Sequence, residues 1–233
     1  MRALFRPGIR PFFQGTSAHS IERLEQRIAP ATLIDSKNVS FHDIDGDEVT
    51  LTASKAIFTA GTINRVLKFD NGKVDGNNDA LQQLQMINLS ALSAGKVKGV
   101  SLLISATAAG GGDGFVDVGF INAQQRDLGT VTVSGDLGGL SAGDKNDDTL
   151  GVQTLVVDSI GASGLATQRD GGSLETRVRG GLGTLLVAHD IVNATVGAAG
   201  KKGVGTIESV NIGGNLIGGG TEFSGSIRAT GAI

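Results

Sequence analysis

The chain has 233 residues, 39% of them hydrophobic, a formal net charge of −3, 37 Gly, nine Phe, three Pro and no Cys, Trp or Tyr. That length supports one sizeable core or two small ones. The missing cysteines exclude disulfide frameworks, thiolate zinc sites and thiol nucleophiles, and a mildly acidic chain almost without aromatic residues lacks the basic face and stacking platforms that nucleic acid needs.

Residues 1–16 carry Arg2, Arg6 and Arg10, and Pro7, Gly8 and Pro11 interrupt every candidate for the apolar core of a secretory signal. The segment reads as disordered. Ser20 to Ala29 reads as a short amphipathic helix, with Ser20 as cap, Ile21, Leu24 and Ile28 on one face and Pro30 as its stop. Together these form a basic leader over 1–37. No run approaches the roughly 18 apolar residues of a membrane-spanning helix, so none is expected.

From Asn38 the period changes to alternation. Val39 and Phe41, then Val49 and Leu51, flank Asp43-Ile44-Asp45-Gly46-Asp47-Glu48, and an Asp-Gly pair between alternating runs predicts a hairpin. Asp43, Asp45 and Asp47 also have the spacing of calcium loops, in which alternate carboxylates converge on one hard cation. Glu48 stands where such a loop wants Gly and Ser54 where it wants a bidentate Glu; the alternative is a solvated hairpin turn. Residues 55–97 are less regular, and Leu81, Leu84, Met86, Ile87 and Leu89 suggest one apolar strand or short helix.

The second half repeats. Leu128-Gly-Thr-Val131-Thr-Val133-Ser-Gly-Asp136-Leu137 aligns without gaps on Leu182 to Ile191 and on Ile207 to Leu216. Val152 to Ile160 fits as a fourth copy if its turn is one residue shorter. The shared rule is apolar-x-x-apolar-x-apolar-x-x-[Asp/Asn]-apolar, and Val131, Leu155, Leu185 and Val210 correspond. Twenty-nine of the 37 Gly lie from Gly110 onward, interleaved with these strands and not in a linker pattern, and no Pro follows Pro30. One coil of a β-solenoid requires such a unit, in which equivalent strands stack and inward positions form an apolar column. Ile121, Leu140 and Ile227, each in a Gly-flanked segment, predict a second strand per coil, with exposed loops at Gly143 to Thr149 and Thr167 to Gly172.

The expected fold class is therefore all-β, a parallel β-helix or β-solenoid with Gly-Asp/Asn turns, preceded by a β-hairpin region and a short helix in the leader. The expected domains are 1–37 leader, 38–109 β-rich N-terminal region or cap, and 110–233 solenoid repeats open at the C-terminal end. A Gly-rich β-sandwich is the competing architecture.

Two sets of residues carry a family resemblance. Leu24-Glu25-Gln26-Arg27 resembles the Leu-Glu-x-Arg segment, of the LEPR-XLL type, near the N-terminus of large repeat-rich proteins of planctomycete-like bacteria; Leu24, Glu25 and Arg27 match, and Gln26 replaces the Pro. The Phe41-x-Asp-x-Asp-Gly-Asp run, Gly111-Gly112-Asp113-Gly114 and the Leu-Gly-x-Val-x-Val-x-Gly-Asp-Leu units are similar to the bodies of the same proteins. The resemblance implies a sorting motif at Leu24, Glu25 and Arg27 and an exported, cell-surface location. Its motifs specify a fold and no reaction.

Chemistry is sparse. His19, His42 and His189 have no metal-ligand spacing, and no nucleophile context surrounds any Ser. The first expectation is a non-enzymatic structural or adhesive segment of a larger surface protein. Its partners would be cell-envelope or extracellular-matrix components, or further repeats joined through the open end. A second is a β-helical polysaccharide lyase or hydrolase, with acids among Asp113, Asp117, Asp144, Asp147, Asp148 and Asp158. Arg169, Arg177 and Arg179 would be their partners. A third is a calcium-stabilised adhesin module; apart from calcium at Asp43, Asp45 and Asp47 no cofactor is expected.

Overall fold

Alternating apolar and polar residues produce strands from Ala31 onward in the computed structural model, which describes residues 31–70, 81–201 and 204–233. The leader helix and Leu24, Glu25 and Arg27 lie outside the described residues. The first strand, β1 (Ala31–Leu33), begins inside the expected leader, because Ala31 is fully buried against the strand that follows. Strands β2 (Asn38–His42) and β3 (Glu48–Ala53) form the expected antiparallel hairpin, pairing Phe41 with Val49 and Val39 with Leu51.

The irregular stretch resolves into several short elements: α1 (Ile63–Val66), β4 (Leu67–Phe69), β5 (Leu84–Asn88), a 3-10 turn and α2 (Ala94–Val97). Phe69 meets Phe41 edge to face at 5.0 Å, tying this layer to the hairpin. Then come β6 (Val100–Thr107), β7 (Ile121–Asn122), β8 (Leu128–Leu137), β9 (Leu140–Ala142), β10 (Leu150–Ile160), β11 (Glu175–Arg179) and β12 (Gly181–Val187). The last strands are β13 (Ile191–Val192), β14 (Thr195–Ala199), β15 (Ile207–Ile212), β16 (Leu216–Ile217) and β17 (Ser226–Ala229).

The protein is mostly β, with two short helices among the described residues and parallel strands in both sheets. One sheet runs β1-β2-β3-β6-β8-β10-β12-β15, and the other β17-β14-β11-β9-β7-β5-β4. Pairing is antiparallel as far as β3 with β6, and every ladder of the first sheet from β6 onward is parallel. From β7 to β17 the chain passes back and forth between the sheets, with β13 and β16 joining the first sheet off its main path through β10. An ordinary sandwich pairs its strands antiparallel, so the parallel ladders argue against that alternative.

The register of these ladders follows the aligned repeats. Val131 pairs with Leu155, Leu155 with Leu185 and Leu185 with Val210, while Val133, Val157, Val187 and Ile212 form the next row. The one-residue shortening expected of the Val152 copy appears as a register shift between Val157 and Ser159. A further copy escaped the alignment: Leu102 and Ile104 of β6 pair with Val131 and Val133, behind a shift that absorbs its shorter start. Leu102, Val131, Leu155 and Leu185 are all buried, each side chain contributing about 1.5–3 kcal/mol by leaving water.

The second sheet makes the matching column. Ile87 pairs with Ile121, Ile121 with Leu140, Leu140 with Thr176, Thr176 with Val196 and Val196 with Ile227. Ile121 and Leu140 are buried as expected, and Ile227 packs half-buried against the core.

Two expectations need correcting. Asp136 was expected in a turn, but it lies within β8, 4% exposed, accepting hydrogen bonds from Ser159 Oγ at 2.6 Å, Ala162 N at 2.9 Å and Ser163 N at 3.2 Å. The Asp/Asn of the repeat therefore reaches the neighbouring unit and holds its turn; Asp190 does likewise, accepting from Asn215 N at 2.6 Å. The loop from Thr167 to Gly172 is not wholly exposed either. Thr167 and Gln168 are buried, and Gln168 closes its own loop through Ser173 N at 2.9 Å and Ser173 O at 3.0 Å.

Candidate functional site

The β2–β3 turn is the one place where three carboxylates converge among the described residues. One oxygen from each of Asp43, Asp45 and Asp47 can be chosen so that all three lie within 4.8 Å of one another. Local sequence explains this: the turn closes through Asp43 N to Asp47 O at 3.1 Å and Gly46 N to Asp43 O at 3.3 Å, which folds the alternate side chains to one side. Asp43 Oδ1 then accepts from Gly46 N at 3.2 Å and Asp47 N at 2.8 Å.

The site is more than a solvated turn. Asp43 and Asp47 are 6% and 0% exposed, and only Asp45 faces water. The cover is the loop after β6. Ala109 N donates to Asp47 Oδ1 at 2.9 Å, Gly114 N donates to Asp47 Oδ2, and Asp113 N donates to Asp45 Oδ2 at 3.3 Å. Two motifs read separately in the sequence, Asp43-x-Asp-x-Asp47 and Gly111-Gly112-Asp113-Gly114, are thus two halves of one site, 62 to 68 residues apart in the chain.

Beside the turn lies a cavity of about 120 Å³ lined by Asp43, Asp45, Gln83, Asp113, Phe115 and Asp117. Gln83, which sequence reasoning missed, donates from Nε2 to Asp117 O at 2.6 Å and is 8% exposed. Its local sequence is an unremarked Gln-Gln pair, so no signal marked it. Burial, reinforced by a hydrogen bond that the protonated Asp43 donates to the Asp45 carboxylate and by the repulsion of Asp45 and Asp47, pushes the Asp43 carboxyl up to about 7. The same hydrogen bond holds Asp45 below the usual range, and burial raises Asp117. Two adjacent carboxylates cannot both ionise at low cost, so Asp43 is the one that holds the proton below about pH 7 while Asp45 stays ionised. The donor set, carboxylate oxygens on a turn held by backbone amides, suits a hard cation such as calcium.

The other candidate acids and bases are dispersed. Arg179 Nε binds Asp147 Oδ1 at 2.6 Å, and Lys201 N donates to Asp147 Oδ2 at 3.1 Å, so Arg179 holds the Asp147 carboxyl low. Arg177 grips Glu175, and Asp158 faces His189 Nδ1 at 3.0 Å. Asp144 and Asp148 lie in the loop between β9 and β10, and Arg169 lies at a separate 200 Å³ hollow. Of the nine candidates, the acids Asp113 and Asp117 share a cavity, and no Arg of the set lines it.

Comparison with family models, curated proteins and solved structures gives no match. No helix among the described residues is long and apolar enough to cross a membrane.

Proposed function

We propose that the chain is a non-enzymatic structural or adhesive segment of a larger exported, cell-surface β-solenoid protein. The observation that carries this reading is the unit-by-unit register: Val131, Leu155, Leu185 and Val210 follow one another in a single parallel row although the spacings in sequence differ. A core built from a repeated row stacks neighbour on neighbour, which suits a spacer or scaffold whose length is set by the number of units. The dispersed acid–base candidates add no support for polysaccharide cleavage.

Excising one whole unit tests the architecture. Deletion of residues 156–185 joins Leu155 to Leu186 and keeps the row, so the shortened chain should melt cooperatively with strand-type circular dichroism. Deletion of residues 156–170 throws the strands onto the wrong sheet and should abolish cooperative melting. Equal behaviour of the two deletions would overturn the solenoid. Fractionation of the source cells, with the intact mass of the polypeptide found, tests the address: recovery in the cytoplasm would remove the surface assignment.

A second reading, a calcium-stabilised adhesin module, is favoured by the convergence of Asp43, Asp45 and Asp47 under the Asp113 loop. Calcium should then raise Tm relative to chelator, and Asp45→Asn should remove the difference. An unchanged Tm on adding calcium rules this reading out.

A further inference from the structure

A bulky side chain held in an unfavourable backbone conformation marks the loop between β16 and β17. Three non-glycine residues among those described have positive φ, Gln125, Asn193 and Phe223, and two of them, Asn193 (φ 53) and Phe223 (φ 64), line the same cleft. Asn tolerates that region, but an aromatic residue there is an outlier that persists only when its surroundings enforce it. Here they do. Thr195 Oγ1 donates to Phe223 O at 2.8 Å, Ser226 Oγ donates to the same carbonyl, and the Arg228 guanidinium stacks 3.7 Å from the ring centroid.

The ring is 50% exposed at the edge of a cleft of about 760 Å³. That volume falls in the range of small-molecule sites, about 300–1,000 Å³. Leu165 and Leu174 add apolar surface, while Glu175, Glu222 and Asn193 add acceptors. Both Glu175 oxygens are oriented by Arg177 Nη2 at 2.8 Å.

We propose that this cleft binds a neutral saccharide, with one pyranose unit lying on the exposed part of Phe223. A pyranose offers a C–H face to an aromatic ring and paired hydroxyl donors to carboxylate and amide acceptors, which is the combination present. An anionic sugar would meet two glutamates, while one arginine is already stacked on the ring and another is already bound to Glu175. A purely apolar ligand would strip water from those carboxylates without replacing it. The inference rests on the adhesive half of the reading above and names what would be adhered to.

The test is titration of the purified chain with the hexamers of cellulose, mannan, xylan and chitin, and with oligogalacturonate as the anionic comparator, followed by saturation-transfer NMR and calorimetry. At least one neutral hexamer should bind, with saturation transferred to its ring C–H protons. Phe223→Gly, which relieves the backbone conformation, should weaken binding by about tenfold or more without lowering Tm. Phe223→Tyr should retain binding, and Glu222→Gln should weaken it with the fold intact. No binding of any neutral hexamer at millimolar concentration, unaltered binding by Phe223→Gly or Glu222→Gln, or tighter binding of oligogalacturonate overturns the proposal. Failure here combined with tolerance of the whole-unit deletion would remove the saccharide site and leave the scaffold standing.

Discussion

A Cβ built on Gly112 would fall inside the Asp47 carboxylate. The loop from Ala109 to Gly114 wraps that buried carboxylate so closely that the Ala109 and Gly114 amides serve as the solvent Asp47 lost, and Gly110, Gly111 and Gly114 supply the positive φ the wrapping requires. Gly112→Ala should therefore push the loop off the carboxylate and cost about 2–4 kcal/mol in urea unfolding, the order expected of overpacking plus a disrupted charge-assisted hydrogen bond. Gly95→Ala is the control, because nothing lies within 4 Å of its Cβ position in α2; it should gain about 0.5–1 kcal/mol. Equal midpoints for the two variants would show that Asp47 does not depend on close backbone approach.

The parallel rows were legible because inward positions are apolar and evenly spaced within each unit: Leu128, Val131 and Val133 foretell Leu182, Leu185 and Val187. What was not legible has a common cause. Leu102 and Ile104 join the rows, but their unit starts one residue short, and a gap hides it from an ungapped alignment. Thr176 sits in the second column where Ile or Leu is usual, so its strand carried no apolar signature. The acidic site needed a contact between Asp45 and Asp113 across 68 residues, which periodicity cannot supply. Phe223 is marked by its φ and its contacts, neither of which a side-chain pattern encodes.

Stability should depend on pH through Asp43. Its carboxyl rises from an ordinary 3.8 to about 7 in the folded chain, beside Asp45 and Asp47 and the cavity-lining Asp113 and Asp117. Between those values the folded state keeps a proton that the unfolded state has lost, so this contribution is full below 3.8 and disappears as pH rises through about 7. Asp117, also raised by burial, acts in the same sense, whereas the lowered Asp45 acts only below its ordinary value. Tm should accordingly fall from pH 5 to pH 8. Asn at position 43 mimics the protonated carboxyl, so Asp43→Asn should flatten most of that slope; an unchanged slope would place the effect elsewhere.

Asp136 should matter far more than its equivalent Asp190. Asp136→Ala leaves Ser159 Oγ, Ala162 N and Ser163 N without their acceptor in a buried strand, at a cost of about 2–4 kcal/mol. Asp190→Ala loses a more exposed contact with Asn215, which water can replace, and should cost about 1 kcal/mol or less. Paired denaturation curves of the two variants check the order, and a reversal would contradict the role of the Asp/Asn position as a link between units.

Thr176 offers a prediction of opposite sign. It is fully buried between Leu140 and Val196 in the second column, and its Oγ1 has no hydrogen-bond partner. A buried hydroxyl without a partner carries its desolvation cost uncompensated, whereas a methyl of the same shape carries none. Thr176→Val should thus stabilise the chain by about 1–2 kcal/mol and raise Tm. Thr176→Ser keeps the orphan hydroxyl and deletes the methyl that packs, so it should destabilise by about 1 kcal/mol. Should Val destabilise as Ser does, the hydroxyl has a partner in solution, and the second column is polar at this position by design of the fold and not by default.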